Sequence, residues 1–202
     1  MKNFAELLFV NEVRDMQDQA GTGELFSKIY KTRTNESLTD QEISFIAERE
    51  SFYIASISST GWPYIQHRGG PRGFIKILDE KLLGFADYSG NKQFVTMGHA
   101  AQNDKVSLFL MDYENSARLK VLGRLTMSHA KDADPELLEQ LQTEGQGQVD
   151  RIATITVESL DWNCPKYIPQ LIKAEKFIPD FQRVIQENED LKKQIEVLQS
   201  KK

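Results

Sequence analysis

The chain has 202 residues, 40% of them hydrophobic and 27% charged, with a net charge of −5. That length suits one compact domain with appendages and buries a core without crosslinks. The balance excludes a disordered chain, and no apolar run approaches the roughly 20 residues of a spanning helix, so no membrane partner is expected.

The acidic balance speaks against nucleic acid as a partner, although it leaves room for a local basic pocket. The opening Met1-Lys2-Asn3-Phe4-Ala5-Glu6 places an acid where a signal peptide would be apolar. The single Cys164 leaves no internal disulfide. Both features predict a cytoplasmic protein.

Residues 1–36 show helical periodicity through Leu8, Val13, Met16 and Ala20, broken by Gly21 and Gly23. A second piece places Leu25 and Ile29, and Phe26 and Tyr30, one helical turn apart. Thr39-Asp40-Gln41-Glu42 is a capping box, flanked by Leu38 and Ile43 at staple positions, and predicts a helix ending near Glu50.

From Ser51 the period changes to two. Ser51 to Ser58 and Trp62 to His67, joined by turn residues Ser59-Thr60-Gly61, predict an antiparallel pair. Phe74 to Leu78 and Lys81 to Ala86 make a further hairpin about Asp79-Glu80. A short helix is expected from Lys92 to about Ala101, with Asn91 as its cap.

Val106 to Met111, apolar on both faces, reads as a central strand. Ala117 to Met127 alternates, and Ile152 to Val157 predicts the last strand. Between them Asp134-Pro135 opens another helix. Six or seven short antiparallel strands with two helical insertions predict a mainly β fold with helical additions, a small barrel rather than a sandwich.

Past Leu160 two prolines interrupt regular structure, and Pro179 is expected to open a long terminal helix. Its heptads place Phe181, Asn188 and Ile195 at a and Val184, Leu191 and Leu198 at d. That pattern fits either a parallel two-stranded coil or a helix packed on its own barrel. The expected organisation is a helical wrap at 1–45, a barrel at 46–160, a connector at 161–178 and an amphipathic helix at 179–202.

Three places carry binding chemistry. Arg68, ending a strand beside His67 and before Gly69-Gly70, is either a bidentate phosphate ligand or a surface arginine at a bulge. The glycines would let a flat ring approach the backbone. Ser89-Gly90-Asn91-Lys92 and Gln93 open the predicted helix, either as an anion site at its free N–H groups or as an ordinary capped helix start. Arg118 and Lys120 share one strand face, as phosphate ligands or as solvent-facing cations.

His67, His99 and His129 have no metal-ligand spacing, so no metal is expected. No nucleophile elbow or Walker loop is present, and no general base stands out, which leaves the catalytic residues unknown.

These blocks resemble the FMN-binding split β-barrels related to pyridoxamine 5′-phosphate oxidase, over roughly residues 46–160. The resemblance rests on Phe52-Tyr53-Ile54-Ala55, Gly61 to Pro71, Leu83 to Lys92, Phe109 to Tyr113 and Leu119 to Arg124. Asp161-Trp162-Asn163-Cys164-Pro165 resembles a recurrent element of one branch.

The resemblance implies an antiparallel split barrel, to which the periodicity outside it adds a helical N-terminal region and a long C-terminal helix. It also implies a homodimer with FMN between the subunits. Arg68 matches the family's strand arginine, with Gln66, His67 and Gly69 beside it. Asp87 falls where the family often has a hydroxyl residue near the flavin. After Ser89 the residues Asn91, Lys92 and Gln93 occupy the oxidase's Ser-Arg-Lys positions, with one of two cations missing. Arg118 stands where the oxidase commonly has glutamine, with Lys120 on the same face.

The oxidase's terminal Arg-x-His-x-Arg run is absent. The implied function is thus an FMN-dependent oxidoreductase of unknown small-molecule substrate rather than pyridoxamine phosphate oxidase itself. The alternative is a non-catalytic flavin, deazaflavin or haem binder or sensor of the same fold.

Overall fold

A computed structural model describes residues 1–32, 37–162 and 164–199. Asn163 of the Asp161–Pro165 element lies outside the described residues. The described chain divides into two compact units, one of Met1–Asp112 with Ala117–Pro165, the other of Tyr113–Ser116 with the chain from Lys166 onward.

The first unit opens with three helices, α1 (Phe4–Leu8), α2 (Asn11–Gln19) and α3 (Gly23–Thr32). The Asn3 side chain caps α1, accepting the Ala5 N–H at 2.9 Å. Gly21, at φ +70°, turns the chain between α2 and α3 where a side chain would be strained. Phe26 and Tyr30 meet Phe9 edge-on at 6.2 and 5.1 Å, so the one-turn spacing on α3 is used for packing.

Helix α4 (Asp40–Ala47) begins at the predicted cap. The buried Glu42 carboxylate accepts the Thr39 N–H at 2.9 Å and the Trp162 indole N–H at 2.6 Å. Burial alone would raise the Glu42 pKa. The hydrogen bonds from Thr39 and Trp162 outweigh it and hold the group below its usual value.

Seven strands follow: β1 (Ser51–Ile57), β2 (Pro63–Gly69), β3 (Lys76–Asp79), β4 (Leu82–Tyr88), β5 (Lys105–Asp112), β6 (Ala117–His129) and β7 (Val149–Trp162). They form one antiparallel sheet in the order β2-β1-β5-β6-β7-β4-β3. Alternation buries Phe52 and Ile54 of β1, Leu108 and Leu110 of β5, Leu119 and Val121 of β6, and Ile155 and Val157 of β7 in one core.

The sheet curls until its two ends face each other. Arg68 of β2 pairs with Asp87 of β4, and Phe52 of β1 lies 5.4 Å edge-on from Phe85 of β4. Among the described residues this gap is bridged by side chains rather than by a backbone ladder. That is a split barrel.

Two helices ride on the strands, α5 (Val95–Ala100) and α6 (Pro135–Leu141). Asp134 caps α6, with proline at its first position as the sequence predicts. Leu141 sits so close to Gly84 that a Cβ there would lie 2.6 Å from its Cδ2, which fixes how α6 docks on β4.

Several boundaries differ from expectation: α4 stops at Ala47 rather than near Glu50, and β3 begins at Lys76 rather than Phe74. α5 starts at Val95 rather than Lys92, because Lys92 and Phe94 adopt positive φ of 59° and 55° that no helix continues through. Asn91 does not cap it; its side chain folds back to accept the Gln93 N–H at 3.1 Å. β7 runs from Val149 through Trp162, well beyond Ile152–Val157, since Trp162 and Asp161 find side-chain partners in Glu42 and Tyr30.

In the second unit α7 spans Ala174–Gln199, with Pro179 inside it rather than at its start. Proline so near the N-terminus forfeits one ladder bond, the one to the Glu175 carbonyl. The Leu171 N–H donates to the Tyr113 carbonyl at 3.2 Å, and Lys176 pairs with Glu114. Among the described residues, no helix is long and apolar enough to cross a membrane.

Candidate functional site

Two arginines and one aspartate form a polar centre inside the barrel. Strand alternation turns Tyr64, Gln66 and Arg68 of β2 inward and leaves Ile65, His67 and Gly69 more exposed. Asp87 on β4 and Arg151 on β7 stand directly opposite in the ladder. The Arg68 Nη1 donates to Asp87 Oδ1, and the Arg151 Nε donates to Asp87 Oδ2 at 2.7 Å.

The side chains of Arg68, Asp87 and Arg151 are only 20%, 6% and 9% exposed. A carboxylate that dry needs such partners to stay charged. One negative charge against two positive ones leaves the centre with a net positive charge. Arg68 Nε is buried and has no hydrogen-bond partner among the described residues. Buried N–H groups are almost always satisfied, so this one calls for an acceptor.

The centre opens into a cleft of about 210 Å³. Gln66, Arg68, Asp87, Asn91, Lys92 and Gln93 all line it, together with Arg151. Tyr64, Phe94, Met97 and Met127 add aromatic and thioether walls. Gln66 is fixed by the Thr96 hydroxyl, which donates to its Oε1 at 2.8 Å. The Arg151 guanidinium stacks 4.8 Å from the Phe94 ring, a contact that the left-handed backbone at Phe94 permits.

The other predicted residues lie elsewhere. His67 and Gly69 line an adjoining cavity of about 240 Å³ that also reaches Arg68 and Asp87. The Ser89 hydroxyl donates to Asp150 at 2.8 Å, away from the cleft. Lys120 faces Asp161 at 4.0 Å and the Phe4 ring at 5.5 Å. Arg118 does not line the cleft, and its Nε is buried without a partner among the described residues.

Within one chain, positions 118 and 120 therefore do not converge with 68 and 92. Arg151 supplies the second cation instead. The glycine pair also differs from expectation: a Cβ on Gly70 would lie 2.6 Å from the Phe74 ring, so that face is already filled. Gly70 serves packing.

The expected last strand begins at Ile152, three residues after the observed start at Val149, which leaves Arg151 outside it. Carrying the alternation of Ala153, Ile155 and Val157 back by two places puts Arg151 on the same buried face. A charged residue in an apolar register was the available signal.

No protein-family model matches the chain, and no curated protein matches it. Among solved structures, HupZ of Group A Streptococcus is 15% identical, matching 67% of this chain and 99% of its own with a TM-score of 0.51. A candidate pyridoxamine 5′-phosphate oxidase from Lactobacillus delbrueckii is 17% identical over 64% of this chain and 97% of its own, with a TM-score of 0.49. An FMN-binding protein from Syntrophomonas wolfei is 9% identical over 77% of this chain and 98% of its own, with a TM-score of 0.45. At such identities the likeness concerns the fold alone, and the chain, a split β-barrel by its own strand order, shares its fold with HupZ.

Proposed function

We propose that this chain binds FMN, with the phosphate against Arg68 and Arg151, and acts as an FMN-dependent oxidoreductase on a small molecule. The observation that carries this reading is the buried, unpartnered Arg68 Nε in a cleft of net positive charge. Asp87 holds both guanidiniums in place by one side each, so neither has to be ordered when an anion arrives. Lys92 on the cleft lip adds a further positive charge, which suits a phosphate dianion.

Bound FMN would supply the hydride and electron chemistry, which accounts for the lack of an evident nucleophile. The residues of the chain bind and orient it. Arg68 and Arg151 hold the anionic end, Gln66 and Thr96 present fixed polar atoms, and Tyr64, Phe94 and Met127 exclude water from a flat ring. The proposed working unit is a homodimer with the cofactor between subunits. Trp162 is committed to Glu42 and no basic run follows it, so pyridoxamine phosphate is not the proposed substrate.

The test is anaerobic addition of NADH or NADPH to protein reconstituted with FMN. Bleaching of the bound flavin is expected. Flavin that binds yet stays oxidised with either donor would make the protein a carrier or sensor. Failure to take up FMN, with uptake of a deazaflavin or haem instead, would replace the cofactor.

A further inference from the structure

The long helix α7 presents an apolar seam to solvent. Phe181, Val184, Leu191, Ile195 and Leu198 are 70%, 49%, 55%, 52% and 66% exposed. They fall at successive a and d positions of one heptad frame, interrupted only by Asn188 at the central a position. Pro179 takes an f position in the same frame, where its ring and missing N–H stay clear of the seam.

We infer that α7 pairs with α7 of a second copy as a parallel, in-register two-stranded coiled coil. Three features select that occupant. The first is the repeat itself, apolar at a and d with a period of 3.5 from Phe181 to Leu198, with Ile185 at e and Val197 at c also exposed, which fits another helix of the same repeat. The second is Asn188: at a buried a position its amide meets an equivalent amide only in a parallel dimer with matched register.

The third is charge. Glu187 occupies g and Lys192 the next e, so in a parallel pair each Glu187 faces the partner's Lys192 on both sides of the seam. An antiparallel pair would instead bring g against g and e against e. Among the described residues neither Glu187 nor Lys192 is used within its own helix, where the ion pairs join Asp180 with Arg183 and Asp190 with Lys193. The two charges are left for a neighbour.

The test uses full-length protein with Cys164→Ser, so that one introduced thiol reports geometry. Leu191→Cys, at d, is expected to convert most of the chain to a disulfide-linked dimer in a glutathione redox buffer. Lys193→Cys, at f, is expected to stay unlinked. Equal linkage of both, or none of Leu191→Cys, overturns the coil and leaves the seam to a different partner. A second measurement covers destabilisation by the cysteine itself. Chains carrying Leu191→Cys with Glu187→Lys, mixed with chains carrying Leu191→Cys with Lys192→Glu, should link mainly to each other. Statistical pairing would overturn the parallel arrangement.

Discussion

Arg68→Ala separates the proposed cofactor contact from general damage to the barrel. In the folded chain Asp87 keeps its second partner, Arg151 at 2.7 Å, so removing Arg68 leaves no unpaired buried carboxylate. What is lost is the charge-assisted contact to the phosphate, worth about 1.5–3 kcal/mol, or roughly a 10- to 150-fold rise in Kd. Titration by flavin fluorescence quenching should show that loss for FMN. Riboflavin, which has the same ring and no phosphate, should bind the variant and the parent nearly equally. Equal weakening of both ligands would refute the placement of the phosphate at Arg68, and so would unchanged FMN affinity.

Further outcomes follow from the same geometry. Asp87→Asn strands two buried guanidiniums against each other and should cost about 3–5 kcal/mol, a fall in Tm of roughly 6–20 °C by scanning calorimetry. Millimolar phosphate should restore part of that loss in the variant more than in the parent.

Trp162→Phe removes the indole N–H from Glu42 and should cost about 1.5–3 kcal/mol at neutral pH. The Glu42 pKa is lowered on folding, so its contribution is full above the unfolded pKa and vanishes as pH falls through the folded one. The variant raises the folded pKa, and its acid unfolding by circular dichroism should move to higher pH.

Gly123→Ala would press a Cβ to 2.6 Å from Ile155 and 2.8 Å from the Thr156 carbonyl, costing about 1–3 kcal/mol in urea unfolding. Gly98→Ala, in open space on α5, should instead be neutral or stabilising by up to about 1 kcal/mol.

Much of the barrel was readable because its strands are antiparallel and their faces differ. Phe52, Ile54, Leu119 and Val121 alternate with more exposed neighbours, and the period survives any uncertainty about topology. The Thr39 and Asp134 caps were readable for a similar reason: they are local chemistry with fixed spacing. Features decided by distant contacts were not. Lys92 and Phe94 enter the left-handed region in a segment where Phe94 meets Arg151, a strand more than 50 residues away in sequence. Gly70 looked open because the ring that fills it, Phe74, is placed by the turn after β2 rather than by the strand.

At the site, the arginine ending β2 and the aspartate on β4 were legible singly, through the family resemblance and their strand positions. Their pairing was not, because it depends on how far the sheet curls. A seven-stranded sheet left flat would hold Arg68 and Asp87 near opposite ends. Closure of the barrel brings them into contact and draws Arg151 in behind them.

The most direct test of the central claim is to identify the small molecule carried by the full-length protein as purified, by absorbance spectrum and mass. The account predicts a yellow protein that releases FMN on denaturation. A colourless protein that also fails to take up added FMN would contradict it.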